Sequence, residues 1–170
     1  MADDTADFYS DQLTNRLAKP PVLNNSAHAG IVYSAIAQET LTTDHDSGDM
    51  IAMLTLPSAA GLRGLYLSTD GTATTGAANI GVFRPYDDTL TTFEIIDADR
   101  FGSAVAFTTA ADDTDVLRES TVVTLALKYA PLWQLAGMAA DPGRELMIGL
   151  TLTADVDAGT VIDMRADYVL

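Results

Sequence analysis

Gly143-Arg144-Glu145-Leu146-Met147-Ile148-Gly149-Leu150-Thr151-Leu152-Thr153 and Thr160-Val161-Ile162-Asp163-Met164-Arg165-Ala166-Asp167-Tyr168-Val169-Leu170 decide how this chain folds. In the first run Leu146, Ile148, Leu150 and Leu152 fall on alternate positions. In the second, Ile162, Met164, Ala166, Tyr168 and Leu170 share one side, with Asp163, Arg165 and Asp167 on the other. A period of two is the signature of a strand with one face buried and one face wet. The Asp- and Gly-containing residues 154–159 between the runs predict an antiparallel hairpin. Its second strand reaches residue 170, so that end of the chain is expected to be held in a sheet. Leu146, Ile148, Leu150, Ile162, Met164 and Tyr168 are the expected core.

Upstream, Asp141-Pro142-Gly143 is a turn signal. Pro131 suits the first position of a short helix carrying Leu132, Trp133, Leu135 and Met138. Residues 121–129 alternate again, with Val123, Leu125, Leu127 and Tyr129 on one side, and residues 110–119 read as an acidic loop. Asp97 to Phe101 reads as one helical turn capped by Asp97, between short strands at 93–96 and 104–108. Earlier strands are expected at 31–39, 50–56, 62–69 and 78–84. The run at 50–56 is apolar on both faces, as in a central strand covered on each side. Pro57, Asp70-Gly71 and Pro85-Tyr86-Asp87-Asp88 punctuate the series. Many short strands at spacings of roughly 8–12 residues with little helix predict a β-sandwich.

Residues 1–29 lack such texture. Phe8, Tyr9, Leu13 and Leu17 could line one short amphipathic turn, and Pro20 and Pro21 force extended backbone after Lys19. The expected organisation is an N-terminal arm over 1–29 and a sandwich domain over 30–170. The arm's apolar anchors, Phe8, Tyr9, Leu13, Leu17, Pro20 and Pro21, are read as partner contacts.

The chain has 170 residues, 48% hydrophobic, enough for one domain with a substantial core. It has no cysteine, which removes disulfides and thiolate metal sites. No apolar run approaches the roughly 20 residues of a membrane helix, and the acidic start lacks the layout of a secretory signal. Folding in a cytoplasm is expected. The net charge is −15, and Lys19 and Lys128 are the only lysines. Such a surface repels phosphate backbones and keeps particles soluble; it also suits a saline habitat.

Candidate chemistry is sparse. Asp44-His45-Asp46-Ser47-Gly48-Asp49 is oxygen-rich enough to suggest calcium. It fails the EF-hand pattern, with Gly48 at the fifth position and Asp49 at the sixth, and a turn between strands is the preferred reading. Asp112, Asp113 and Asp115 read as a solvated loop. His28 and His45 are the only histidines, and there is no Gly-x-Ser-x-Gly elbow or His-x-x-x-His pair. Trp133 stands among leucines at helical spacing, which favours a core position over a sugar platform. No catalytic residue, metal or cofactor is expected.

Three segments carry a resemblance: Ala78–Phe83 with Ile96–Ala104, Pro131–Gly137 leading into Asp141-Pro142-Gly143, and Gly159–Val169. The chain resembles the head decoration (cement) and auxiliary structural proteins of tailed viruses. That resemblance implies a jelly-roll-like, all-β sandwich with one or two short helical turns and an extended N-terminal arm. It implies docking on the outer surface of a capsid, with the major capsid protein as partner and a homotrimer as the common assembly, and neither nucleic acid nor membrane. The alternatives are a glycan-binding sandwich (a head-fibre base or adhesion module) and a neck or tail component.

Overall fold

A computed structural model describes residues 31–85, 93–119, 123–124, 127 and 130–170. Eight strands run in order: β1 (Tyr33–Thr40), β2 (Met50–Pro57), β3 (Gly61–Thr69), β4 (Ala77–Pro85), β5 (Phe93–Ala106), β6 (Ala111–Asp115), β7 (Glu145–Ala154) and β8 (Val161–Val169). Two four-residue helices, α1 (Val116–Glu119) and α2 (Leu132–Leu135), lie between β6 and β7. One sheet has the order β1-β8-β3-β6 and the other β2-β7-β4-β5. Every pairing is antiparallel.

The pairs β4–β5, β3–β6, β2–β7 and β1–β8 nest inside one another. The chain thus behaves as one long folded-back ribbon. It is wound so that the β1–β8 pair lies beside β3–β6, and β2–β7 beside β4–β5. That winding is the eight-stranded jelly roll. The protein is a β-sandwich.

The predicted alternation holds where it matters most. Leu146, Ile148, Leu150, Ile162, Met164 and Ala166 are fully buried between the sheets, and Leu152 is nearly so. Two bulges keep neighbouring strands in phase with that core. In β3 the register shifts between Leu62 and Gly64, and in β2 between Ala52 and Leu54. An extra residue on one strand restores the inward side of a pattern that would otherwise flip. Both Leu62 and Leu65 are therefore buried, as are Ile51 and Leu54.

Several expectations are corrected. The 143–170 runs do not form a hairpin: β7 pairs with β2 and β4, β8 pairs with β1 and β3, and residues 155–160 cross from one sheet to the other. Alternation reports which side of a strand is buried, not which strand lies along its edge. Leu170 falls beyond the last pair and is exposed, while Tyr168 is half-buried and stacks on Tyr33 with ring centroids 5.6 Å apart. β2 is an edge strand, not a central one, and exposes Met50, Ala52 and Thr55. The expected turn at 97–101 and its flanking strands merge into the 14-residue β5. There Asp97 pairs with Val82 and Gly102 with Ile80, so β5 holds extra residues against a short span of β4. The expected acidic loop contains β6, and within the strand expected at 121–129 the Leu127 N–H donates to Thr124 O (2.9 Å), a turn at that residue. Pro131 stands at the N-cap of α2, one position before the expected one. The arm over 1–29 lies outside the described residues.

Two glycines face each other on the central strands β4 and β7, Gly81 opposite Gly149. A β-carbon at 81 would lie 2.3 Å from Asp97 O and 2.5 Å from Ala98 O, and one at 149 would lie 2.7 Å from Ile51 O. The β5 excursion needs that space. Gly81→Ala is expected to displace the excursion and lower the denaturation midpoint by more than an exposed-site control such as Thr55→Ala. Ile148→Ala, at a fully buried position, is expected to cost about 2–5 kcal/mol, read from urea unfolding.

Candidate interaction surfaces

At one end of the sandwich the loops 41–49, 70–76 and 155–160 are tied together by carboxylates that accept backbone N–H groups. Asp44 Oδ1 accepts from Ala158 N (2.8 Å), and Asp155 Oδ1 from Ser47 N (2.9 Å). Asp49 Oδ2 accepts from Asp46 N at 3.2 Å and lies 3.1 Å from His45 Nδ1. His45 and Val156 exchange backbone bonds of 3.0 and 2.9 Å. Asp157 Oδ2 takes both the amide (2.8 Å) and the hydroxyl (2.6 Å) of Thr74. The Asp44–Asp49 segment is accordingly a strapped turn, with the Asp44 and Asp49 carboxylates engaged by backbone. Among the described residues, no group of three or more His, Cys, Asp or Glu is arranged to hold a metal ion.

These bonds shift proton affinity. The Thr74 hydroxyl and amide hold Asp157 below the usual carboxylate range. At Asp70 burial pushes upward, but bonds led by the Thr72 amide and hydroxyl leave it lowered. The Ser58 hydroxyl, then the Gly143 amide, lower Asp141.

Asp141 belongs to the corner between β2 and β3, where one buried serine joins three segments. Ser58 N donates to Arg144 O (3.1 Å), Ser58 O accepts from Trp133 N (3.1 Å), and Ser58 Oγ donates to Asp141 Oδ1 (2.5 Å). Leu132 N donates to Ala60 O at 2.8 Å, completing the seat of α2. Trp133 is half-buried against the core, in line with the packing reading. An open groove beside this corner is lined by Pro57, Ser58, Asp141, Gly143, Arg144 and Glu145.

The outer face of the β1-β8-β3-β6 sheet carries the row Ile36, Arg165, Tyr66, Asp115 across its four strands. The Arg165 guanidinium sits 4.4 Å from the centre of the Tyr66 ring and 3.2 Å from Asp113 Oδ2. Such a stack over an aromatic face is favourable by roughly 0.5–1 kcal/mol at an exposed site. Asp113 and Asp115 are therefore strand residues, and Asp113 serves to hold a cation. On the other sheet Arg84 pairs with Glu94 across β4 and β5.

Ile36, at the open edge, is 67% exposed. It is not among the candidate residues of the sequence, where an isoleucine between Ala35 and Ala37 in an alternating strand is its signal. The candidate anchors, Phe8, Tyr9, Leu13, Leu17, Pro20 and Pro21, lie outside the described residues.

No protein-family model matches the chain, and no curated protein does. Solved structures do. A chain in "Capsid of Ralstonia phage GP4" aligns with a TM-score of 0.57 and 15% identity, over 82% of this chain and 84% of that one. The fold is shared with a phage capsid chain. A chain in "Cyanophage Pam1 capsid asymmetric unit" aligns with a TM-score of 0.47 and 18% identity, over 83% and 86% of the two chains. At 15% identity the first of these likenesses is one of fold.

The lowered carboxyls give a signed pH dependence. A carboxylate depressed in the folded state stabilises fully above its unfolded pKa, near 3.9, and that contribution fades as pH falls through the lower folded value. The stability difference between wild type and Asp157→Asn is expected to be constant from about pH 7 to 5 and to shrink below about pH 4. Urea unfolding at a series of pH values measures it; a difference that grows on acidification would contradict the assignment.

Proposed function

We propose that this chain is a non-enzymatic structural protein of a tailed-virus virion. It binds the outer surface of the head as a decoration or cement protein, as a homotrimer, and strengthens contacts between major capsid protein subunits. The observation that carries the reading is the jelly-roll fold, shared over most of the chain with a chain of a phage capsid. Two further features support it. A net charge of −15 disfavours contact with packaged nucleic acid and is tolerated on an exterior surface. The carboxylates of the loop end are engaged in joining loops, which is structural work.

A component that binds only the assembled shell stabilises that shell by mass action, and many copies bridging seams add avidity. The glycan-binding alternative draws no support from Trp133, which packs on the core. A neck or tail position would differ in ring symmetry rather than in chemistry.

The direct test adds purified full-length protein to heads lacking it. Saturable co-sedimentation and a raised shell disruption temperature are expected; absence of binding at micromolar protein would overturn the reading. The arm carries a separate prediction. Deleting residues 1–22 is expected to leave the cooperative unfolding transition of the sandwich in place while abolishing head binding, and full occupancy by the truncated protein would reassign the contact.

A further inference from the structure

A β-sandwich has sheet edges, and an unprotected edge is a template for another strand. Three of the four edge strands described here carry protection. β2 is bulged between Ala52 and Leu54 and ends on Pro57; β5 shifts register against β4 three times; β6 is five residues long, carries Asp112, Asp113 and Asp115, and has Asp113 at a φ of 50°. β1 has none of these devices. Its eight residues pair with β8 without a single register shift, and Glu39 is the only charge in Tyr-Ser-Ala-Ile-Ala-Gln-Glu-Thr. In a chain of net charge −15, this is a regular edge with a single charge near one end. Ile36, the most exposed of the exposed large hydrophobics, stands at its middle.

We propose that β1 pairs antiparallel with β1 of a second copy, about a two-fold axis through Ile36, so that two four-stranded sheets become one of eight strands. Opposed residues on paired strands must point to the same face, which restricts the register. Centring on Ile36 meets that condition: Ile36 faces its own mate, Ala35 faces Ala37, Ser34 faces Gln38 and Tyr33 faces Glu39. The apolar side chain left in water is covered by its equivalent, with β-carbons about 4.5–5.5 Å apart. The two Glu39 carboxylates stand six residues apart along the pair, about 20 Å, beyond a screening length of about 8 Å at physiological salt. No like charges meet.

Such a contact is isologous and closes at two copies. It is independent of head binding: within the trimer proposed above, β1 would be the surface by which two trimers join. Because both bodies are strongly acidic, association is expected to strengthen as salt is raised.

The chain has no cysteine, which makes the geometry directly testable in the full-length protein. A residue on a two-fold axis is the position from which a single cysteine reaches its own copy. Ile36→Cys is expected to form an intermolecular disulfide under mild oxidation in high yield, well above Gln38→Cys or the exposed β5 control Ile95→Cys. In sedimentation equilibrium Ile36→Lys, which sets two ammonium groups against each other, is expected to halve the assembly mass, and Ile95→Lys to leave it unchanged. Equal cross-linking at 36 and 95, or a wild-type mass unaffected by Ile36→Lys, would overturn the proposal. Loss of head binding by Ile36→Lys at unchanged mass would likewise overturn it, assigning the edge to a capsid strand.

Discussion

β7 and β8 each sit in the middle of a different sheet, and their alternate side chains meet across the interior. Leu146, Ile148 and Leu150 from one strand and Ile162, Met164 and Ala166 from the other are fully buried. Every remaining strand is positioned by pairing with one of these two, or by pairing with a strand that does. The burial of those two inner rows is the constraint from which the architecture follows, because a period-two row can be kept dry only by a second sheet facing it. The bulges in β2 and β3 are consequences. They retain phase where strict alternation would have pushed Leu62 or Ile51 to the wet side.

The acidity of the chain has a structural use as well as a colloidal one. Asp44, Asp155 and Asp157 each accept a backbone N–H from a loop remote in sequence, so carboxylates join loops that each anchor one apolar residue, Leu41, Ala73 or Val156, in the core. Arg165 shows the converse economy. With so few cations available, one guanidinium lies near Asp113 and Asp167 and also stacks on Tyr66. A surface held this way is locally ordered while remaining strongly negative, a combination that disfavours indiscriminate adhesion.

The two central glycines illustrate how function-neutral sequence features become fold-critical. Gly81 and Gly149 leave a shallow trough on the outer side of the β2-β7-β4-β5 sheet. The backbone of β5 at Asp97 and Ala98 occupies the part over Gly81, and the Phe83 ring lies within contact distance of the space over Gly149. Ala104, held at a φ of 51° with its amide bonded to Asn79 Oδ1 at 2.9 Å, marks the second irregularity of the same strand. β5 is therefore an edge that is bent as well as charged, with Glu94, Asp97, Asp99 and Arg100 along it.

Local pattern alone determined much of this protein. The alternation of Leu146 to Leu152 and of Ile162 to Ala166 specified strands and their buried sides, and turn residues such as Pro57 and Asp70-Gly71 marked strand ends within a residue or two. Those features depend on one residue and its near neighbours, so they are written locally. Partner choice is not. Whether β7 lies beside β8 or beside β2 and β4 depends on contacts between segments remote in sequence, such as Met50 with Thr151 and Phe83 with Met147, and the apparent hairpin resolved into a crossing between sheets for that reason. The same holds for the inclusion of Asp97–Phe101 in β5 as an excursion against β4, for the recruitment of the acidic 111–115 segment as an edge beside β3, and for the exposure of Ile36. Each is decided by what the rest of the fold places next to it, which only the assembled tertiary structure specifies.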